Sequence, residues 1–131
     1  MAIEKFLEVQ CIRRRCVQVE SVASKTYNWS PFNEGSYLDI LSTDATTFTL
    51  QFTYPVIARP SPSGLEIWVV FEKTGGAGAG INWPGTFRFQ TVGDKQPNPN
   101  NDSVTAWTGF VRPNNLSVYM TKIGEWVAGG V

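Results

Sequence analysis

Histidine is absent from this 131-residue chain, and that single absence excludes a large share of protein chemistry. Without imidazole there is no Ser-His-Asp or Cys-His nucleophile system and no histidine-ligated metal site. Cysteine is scarce as well: Cys11 and Cys16 are the only two, too few to close a zinc site alone. Charge is sparse and balanced, 11 basic against 11 acidic residues with 17% of positions charged, which argues against nucleic acid as the main partner. No apolar run is long enough to span a bilayer, so no membrane partner is expected. No N-terminal stretch joins basic residues, an apolar core and a small-residue cleavage site. The opening Met1-Ala2-Ile3-Glu4-Lys5 reads as a cytoplasmic start.

Missing constellations narrow the field further. The glycine-rich run at 75–80 lacks the Lys-Ser/Thr of a phosphate loop and opens no helix, so it reads as a flexible connection. Glu66, Glu72, Asp94, Asp102 and Glu125 are not paired by any spacing a glycosidase would need. The expectation is a non-enzymatic chain with no catalytic, cofactor-binding or metal-ligating residue.

What is present is a grammar of short strands. Leu65, Ile67, Val69 and Phe71 share one side of a run long enough for a central strand. Trp83-Pro84-Gly85 bends the chain before Phe87 and Phe89 restart a strand, with Arg88 pointing the other way. Leu38 and Ile40 form an inward pair in 37–41. Phe48, Leu50, Phe52 and Tyr54 alternate with Thr47, Thr49, Gln51 and Thr53, and Pro55 ends that strand. Pro60-Ser61-Pro62-Ser63-Gly64 is a stiff lead into the central strand. A polar loop over 91–102 precedes two strands, 103–112 and 116–125, turned as a hairpin by Pro113-Asn114-Asn115. In the second, Leu116, Val118 and Met120 face opposite to Tyr119 and Thr121. No apolar pattern at helical spacing is sustained. Turn signals every eight to twelve residues point to an all-β fold, an antiparallel β-sandwich of jelly-roll type. The tail at 129–131 should be loose.

Residues 1–24 differ from the 25–131 sandwich. Apolar alternation on both sides of Arg13-Arg14-Arg15 fits an extended arm or an extra strand, one or two strands in all. The three arginines could meet an acidic neighbour or a phosphate, but a solvated turn or an edge strand guarded by charge is the favoured reading. Cys11 and Cys16 read as free, small, partly buried thiols, with a disulfide across a tight arginine hairpin as the alternative. Five tryptophans offer core packing, a sugar-stacking platform or interface anchors. Trp68 and Trp107 carry the phase opposite to the core residues inferred for their strands, so they are candidates for an outward contact face with Arg13, Arg14 and Arg15. Trp83, at the bend, should be buried.

The order of motifs carries a resemblance. Tyr27-Asn28-Trp29 is followed by 37–41, Thr46-Thr47-Phe48-Thr49-Leu50, the 66–71 strand and Ile81-Asn82-Trp83-Pro84. Gly93, Pro97, Asp102 and a closing Gly124-Glu125-Trp126 come next. Over about three quarters of its length the chain resembles a β-sandwich module of structural proteins in tailed bacteriophages. The module occurs in tail-fibre and tip proteins and in small standalone head proteins. The resemblance implies a virion structural protein, often trimeric, without catalytic residues. Lacking a long repetitive shaft, the chain leans toward a capsid decoration (cement) protein on the capsid exterior. It would be made in the host cytoplasm, with the major capsid protein or other virion proteins as partners. A tail-fibre or baseplate component touching the host surface is one alternative. A carbohydrate-binding module using the exposed tryptophans and the 98–101 loop is another.

Overall fold

The computed structural model describes residues 2–21, 25–53, 65–75, 80–112 and 117–128. The readings placed on 54–55, 60–64, 76–79, 113–116 and 129–131 lie outside the described residues.

Of the two readings for the N-terminal segment, the extra strand is present as β1 (Cys16–Glu20) and the extended arm is not. Ala2–Arg14 forms helix α1. No glycine or proline interrupts 2–14. Leu7 and Cys11, four apart, pack inward against the sheet, and Gln10 is buried beside them. Val9 and Ile12 point outward, and Phe6, on the flank of the helix, is half exposed with its ring against Trp68. Apolar residues on both faces blur the 3.6-residue period, so the segment imitates strand alternation. Arg15 adopts a left-handed φ of 54°, which ends the helix and turns the chain into β1.

The chain then runs through β2 (Thr26–Trp29), the single turn α2 (Pro31–Glu34), β3 (Tyr37–Ser42), β4 (Phe48–Phe52) and β5 (Leu65–Lys73). Next come β6 (Ile81–Asn82), β7 (Phe87–Phe89), a 3-10 turn over Val92–Lys95, β8 (Ser103–Val111) and β9 (Val118–Val127). Six strands form one sheet in the order β1-β3-β5-β8-β9-β7, and β2-β4-β6 form a second.

An entirely antiparallel β-sandwich does not describe this strand-rich architecture. β1, β3 and β5 are mutually parallel, β2, β4 and β6 are parallel, and β7 joins β9 in parallel. Among the described residues only β5–β8 and β8–β9 are antiparallel. The physical reason lies in the turns. After β1, β3 and β5 the chain crosses to the facing sheet instead of folding back beside the strand just left. Each return then adds a strand parallel to its predecessor, giving three stacked arches. Val17, Leu38 and Val69 line up across the large sheet, as do Val19, Ile40 and Phe71.

Both sheets share one core. Trp29, Phe48, Leu50 and Ile81 from the small sheet meet Leu38, Ile40, Ile67, Val69, Phe71, Trp107 and Met120 from the large one. The inward side read for Ile67, Val69 and Phe71 is the inward side found. The opposite face of β5 is buried as well: Tyr37, Trp68, Val70 and Ala106 pack under Leu7 and Cys11. The unbroken Ile67–Phe71 run is thus a central strand covered on both faces. Gly35, with φ of 135°, crosses so close to Arg15 that a Cβ would collide with the Arg15 carbonyl. The Gly35 carbonyl accepts the Trp29 indole N–H at 2.9 Å, which ties the small sheet to this crossing.

Candidate functional site

Sequence phase alone placed Trp68 and Trp107 on an outer face. For Trp68 the face is right but the exposure is not. It lies outward from the inter-sheet core, yet α1 covers it to 7% exposure. Phe6 meets its ring edge-on at 5.6 Å, the Arg14 guanidinium stands 5.7 Å from its centroid, and its indole N–H donates to Glu66 Oε1 at 2.8 Å.

Trp107 is a correction. It pairs with Val69 across β5–β8 and therefore points into the core, fully buried, where Trp83 packs on it and its indole N–H donates to the Asp94 carbonyl at 2.7 Å. Its neighbour Ala106, in the opposite phase, faces α1. Small and hydroxylated neighbours hid the true phase of β8. A stacking platform built on Trp68 and Trp107 is overturned by this burial. Trp83, expected inside, is half-buried against Phe87 and Phe89.

The arginine triplet divides into three environments. Arg13 is exposed in the last turn of α1, where its charge suits the helix C-terminus. Arg14 bridges Glu66 at 2.6 Å and bonds Gln10 at 3.1 Å, so among the described residues an acidic neighbour is found for one of the three. Arg15 is exposed at the left-handed turn. Cys11 and Cys16 are joined in a disulfide, not free, and the bond fastens the last turns of α1 to the start of β1. The hairpin imagined between them is a helix end. The structure therefore gathers Arg14, Trp68 and the disulfide around the C-terminal end of α1, and leaves Trp107 apart.

What α1 leaves uncovered follows from length. A 13-residue helix spans about 20 Å, whereas the nine residues of β5 span about 30 Å. Ile3 and Leu7 lie beside Glu72, Lys73 and Thr74, and Arg14 reaches Glu66, so α1 runs antiparallel to β5 and stops at its first residues. Beyond it and to one side lies an open groove of about 960 Å³ on the outer face of β5, β8, β9 and β7.

Register composes the floor of this groove. Glu66, Phe110, Tyr119 and Arg88 are successive cross-strand partners, so they form one row across four strands, about 14 Å from end to end. The Phe110 and Tyr119 rings stack at 5.4 Å with 21° between planes, and Arg112 leans over Tyr119. A second row places Trp68, Thr108 and Thr121 in register, with Gln90 just past the end of β7 lining the same groove. Phe110 is 51% exposed. Arg88 makes no ion pair among the described residues. Part of this was legible. Tyr119 and Thr121 opposite Met120, and Arg88 opposite Phe87 and Phe89, are the faces expected. The parallel docking of β7 beside β9, which brings Arg88 to the aromatic pair, has no sequence signal.

Elsewhere on the outer face Asp39 lies near Glu72 and Gln18. Burial, and then the Glu72 charge, raise its pKa above the ordinary carboxylate value, against the hydrogen bond from Gln18. Among the described residues no three His, Cys, Asp or Glu side chains converge as a metal site. No protein-family model matches the chain, and neither does any curated protein or solved structure.

Proposed function

We propose that this chain is a structural protein of a tailed-phage virion, a decoration protein that binds the outside of the head across capsomers. The outward face of α1 carries this reading. Phe6, Val9 and Ile12 are 45, 49 and 73% exposed, three of the eight large hydrophobic side chains left in solvent among the described residues. Exposed apolar side chains grouped along one helix are a contact-surface signal. Lys5 and Arg13 stand beside the stripe, with Glu8 as its one described acid. The partner is therefore a protein surface with apolar knobs and an acidic border, such as a capsid subunit. Low, balanced charge suits a molecule much of whose surface is covered by neighbours.

Deleting the N-terminal segment is a poor test, because α1 also covers Tyr37, Trp68 and Val70. The clean perturbation is the double substitution Val9→Glu and Ile12→Glu, both on the solvent side. Virions made with it should lose the protein during purification, while the isolated protein keeps its circular-dichroism spectrum and melting temperature. Full retention on particles would refute the reading. Copy number in wild-type virions separates a head protein, present at lattice scale, from a tail component, present in a handful.

A further inference from the structure

We infer that the row Glu66–Phe110–Tyr119–Arg88 is a binding site for a neutral oligosaccharide. The inference is independent of the capsid reading, since the row lies on the sheet beyond α1 and not on its outward stripe. Three observations converge. The middle of the row is a stacked aromatic pair in which Tyr119 is covered by Phe110 and Arg112 while Phe110 stands half in solvent, so the exposed part of the Phe110 ring is the apolar surface offered to the C–H side of a pyranose. The flanking positions carry hydroxyls and an amide, Thr108, Thr121 and Gln90, whose donors and acceptors match sugar hydroxyls. The ends carry opposite charges. Glu66 Oε1 is taken by Arg14 and Trp68, while Arg88 has no partner among the described residues.

Other ligand classes fit less well. Arg88 is the one cation among the described residues lining the groove and Arg112, at its margin, is bonded to the Tyr119 hydroxyl, which is a weak field for a nucleic-acid backbone. β8 and β9 are interior strands with both edges paired, so a peptide cannot add to them by main-chain hydrogen bonds. The groove is too open to enclose a small apolar molecule. A row of about 14 Å accommodates a chain of two to three sugar rings lying across the strands.

The test uses the full chain on an array of neutral oligosaccharides three to six residues long, followed by an NMR titration with the strongest binder to about 10 mM, a range that reaches millimolar affinity. The expected result is binding whose amide shifts fall on 108–110 and 119–121. Phe110→Ala should weaken it about tenfold or more, and Arg88→Ala should weaken it less, with the melting temperature of Arg88→Ala unchanged. Retention of no array member overturns the inference. So does binding that survives both substitutions, or shifts confined to other faces. If Phe110→Ala releases the protein from particles while no sugar binds, the row docks protein, and the saccharide assignment is equally overturned.

Discussion

Breaking the Cys11–Cys16 bond should cost little globally and much locally. The bond closes a short loop, with a sequence separation of five. In the chain-entropy account, a loop that short withdraws about 7 cal/mol/K from the unfolded chain, or about 2 kcal/mol at 25 °C. For a 131-residue chain the unfolding entropy near the midpoint is about 0.28 kcal/mol/K, so the same loss lowers the melting temperature by about 7 °C. The perturbation is the pair Cys11→Ser and Cys16→Ser, compared with wild type in urea with and without reductant. Wild type should fall by about 2 kcal/mol on reduction, the variant should be insensitive to reductant, and the urea slope should not change. Locally, amide exchange in α1 should accelerate by more than it does in β3, β5 and β8. A short isolated helix is marginal in water, and the inward face here is thin. A loss above about 4 kcal/mol would refute the loop argument, because it would mean that the bond organises the tertiary packing. Equal exchange in α1 before and after reduction would refute the local part.

Three further outcomes are expected. Trp107→Ala should destabilise by about 3–5 kcal/mol, since it empties a fully buried site and strands the Asp94 carbonyl. Trp68→Phe, which keeps the ring under α1, should cost about 1 kcal/mol for the lost bond to Glu66, and urea titrations of the two variants separate them. Gly35→Ala should destabilise by more than about 1 kcal/mol, because its φ of 135° suits glycine alone and the added methyl meets the Arg15 carbonyl. Asp39 gives a pH dependence with a definite sign. Its pKa is raised in the folded protein, so the folded state binds more protons than the unfolded state above the ordinary value of 3.8, and stability falls as pH rises from there through the folded pKa. Asp39→Asn should therefore melt higher than wild type at pH 7, with the gap closing below about pH 4. An unchanged gap would show that Asp39 is not the group responsible.

Period-two reading found the strands and most of their faces because side-chain alternation is local. Phe48 and Leu50, Ile67 through Phe71, and Val118 with Met120 each show it within a few residues. What it could not find is where a strand goes after its turn. A hairpin and an arch to the facing sheet use the same breakers, so the parallel β1-β3-β5 and β2-β4-β6 stacks were read as antiparallel neighbours. Unequal spacing hid the repeat: Cys16 pairs with Tyr37, but Tyr37 pairs with Trp68, ten residues further along the chain than an even repeat would place it. β9 adds a second kind of concealment. Ala106 pairs with Gly124 and Trp107 with Lys122, leaving Ile123 extra. Such a bulge moves the residues after it to the other face, which is why Trp126 packs toward α1 while Met120 packs in the core.

The two surfaces meet at Glu66, and the energetics there decide whether they are separable. Its bridge to Arg14 joins a side chain 20% exposed to one 51% exposed, and a surface pair of that kind contributes about 0–1 kcal/mol. Glu66 therefore does not hold α1 in place; the disulfide and the Leu7 and Cys11 contacts do. Covering the exposed parts of Phe6, Val9 and Ile12 would add about 3 kcal/mol, more than the disulfide contributes. A partner on α1 should then order the helix further without altering the aromatic row, whose strands are paired independently of it. Glu66→Gln tests that separation: it removes a charge from the end of the row while leaving the α1 stripe intact. Particle retention should be unchanged, and any saccharide affinity should shift. A loss of particle retention in Glu66→Gln would show that the helix and the row act as one surface.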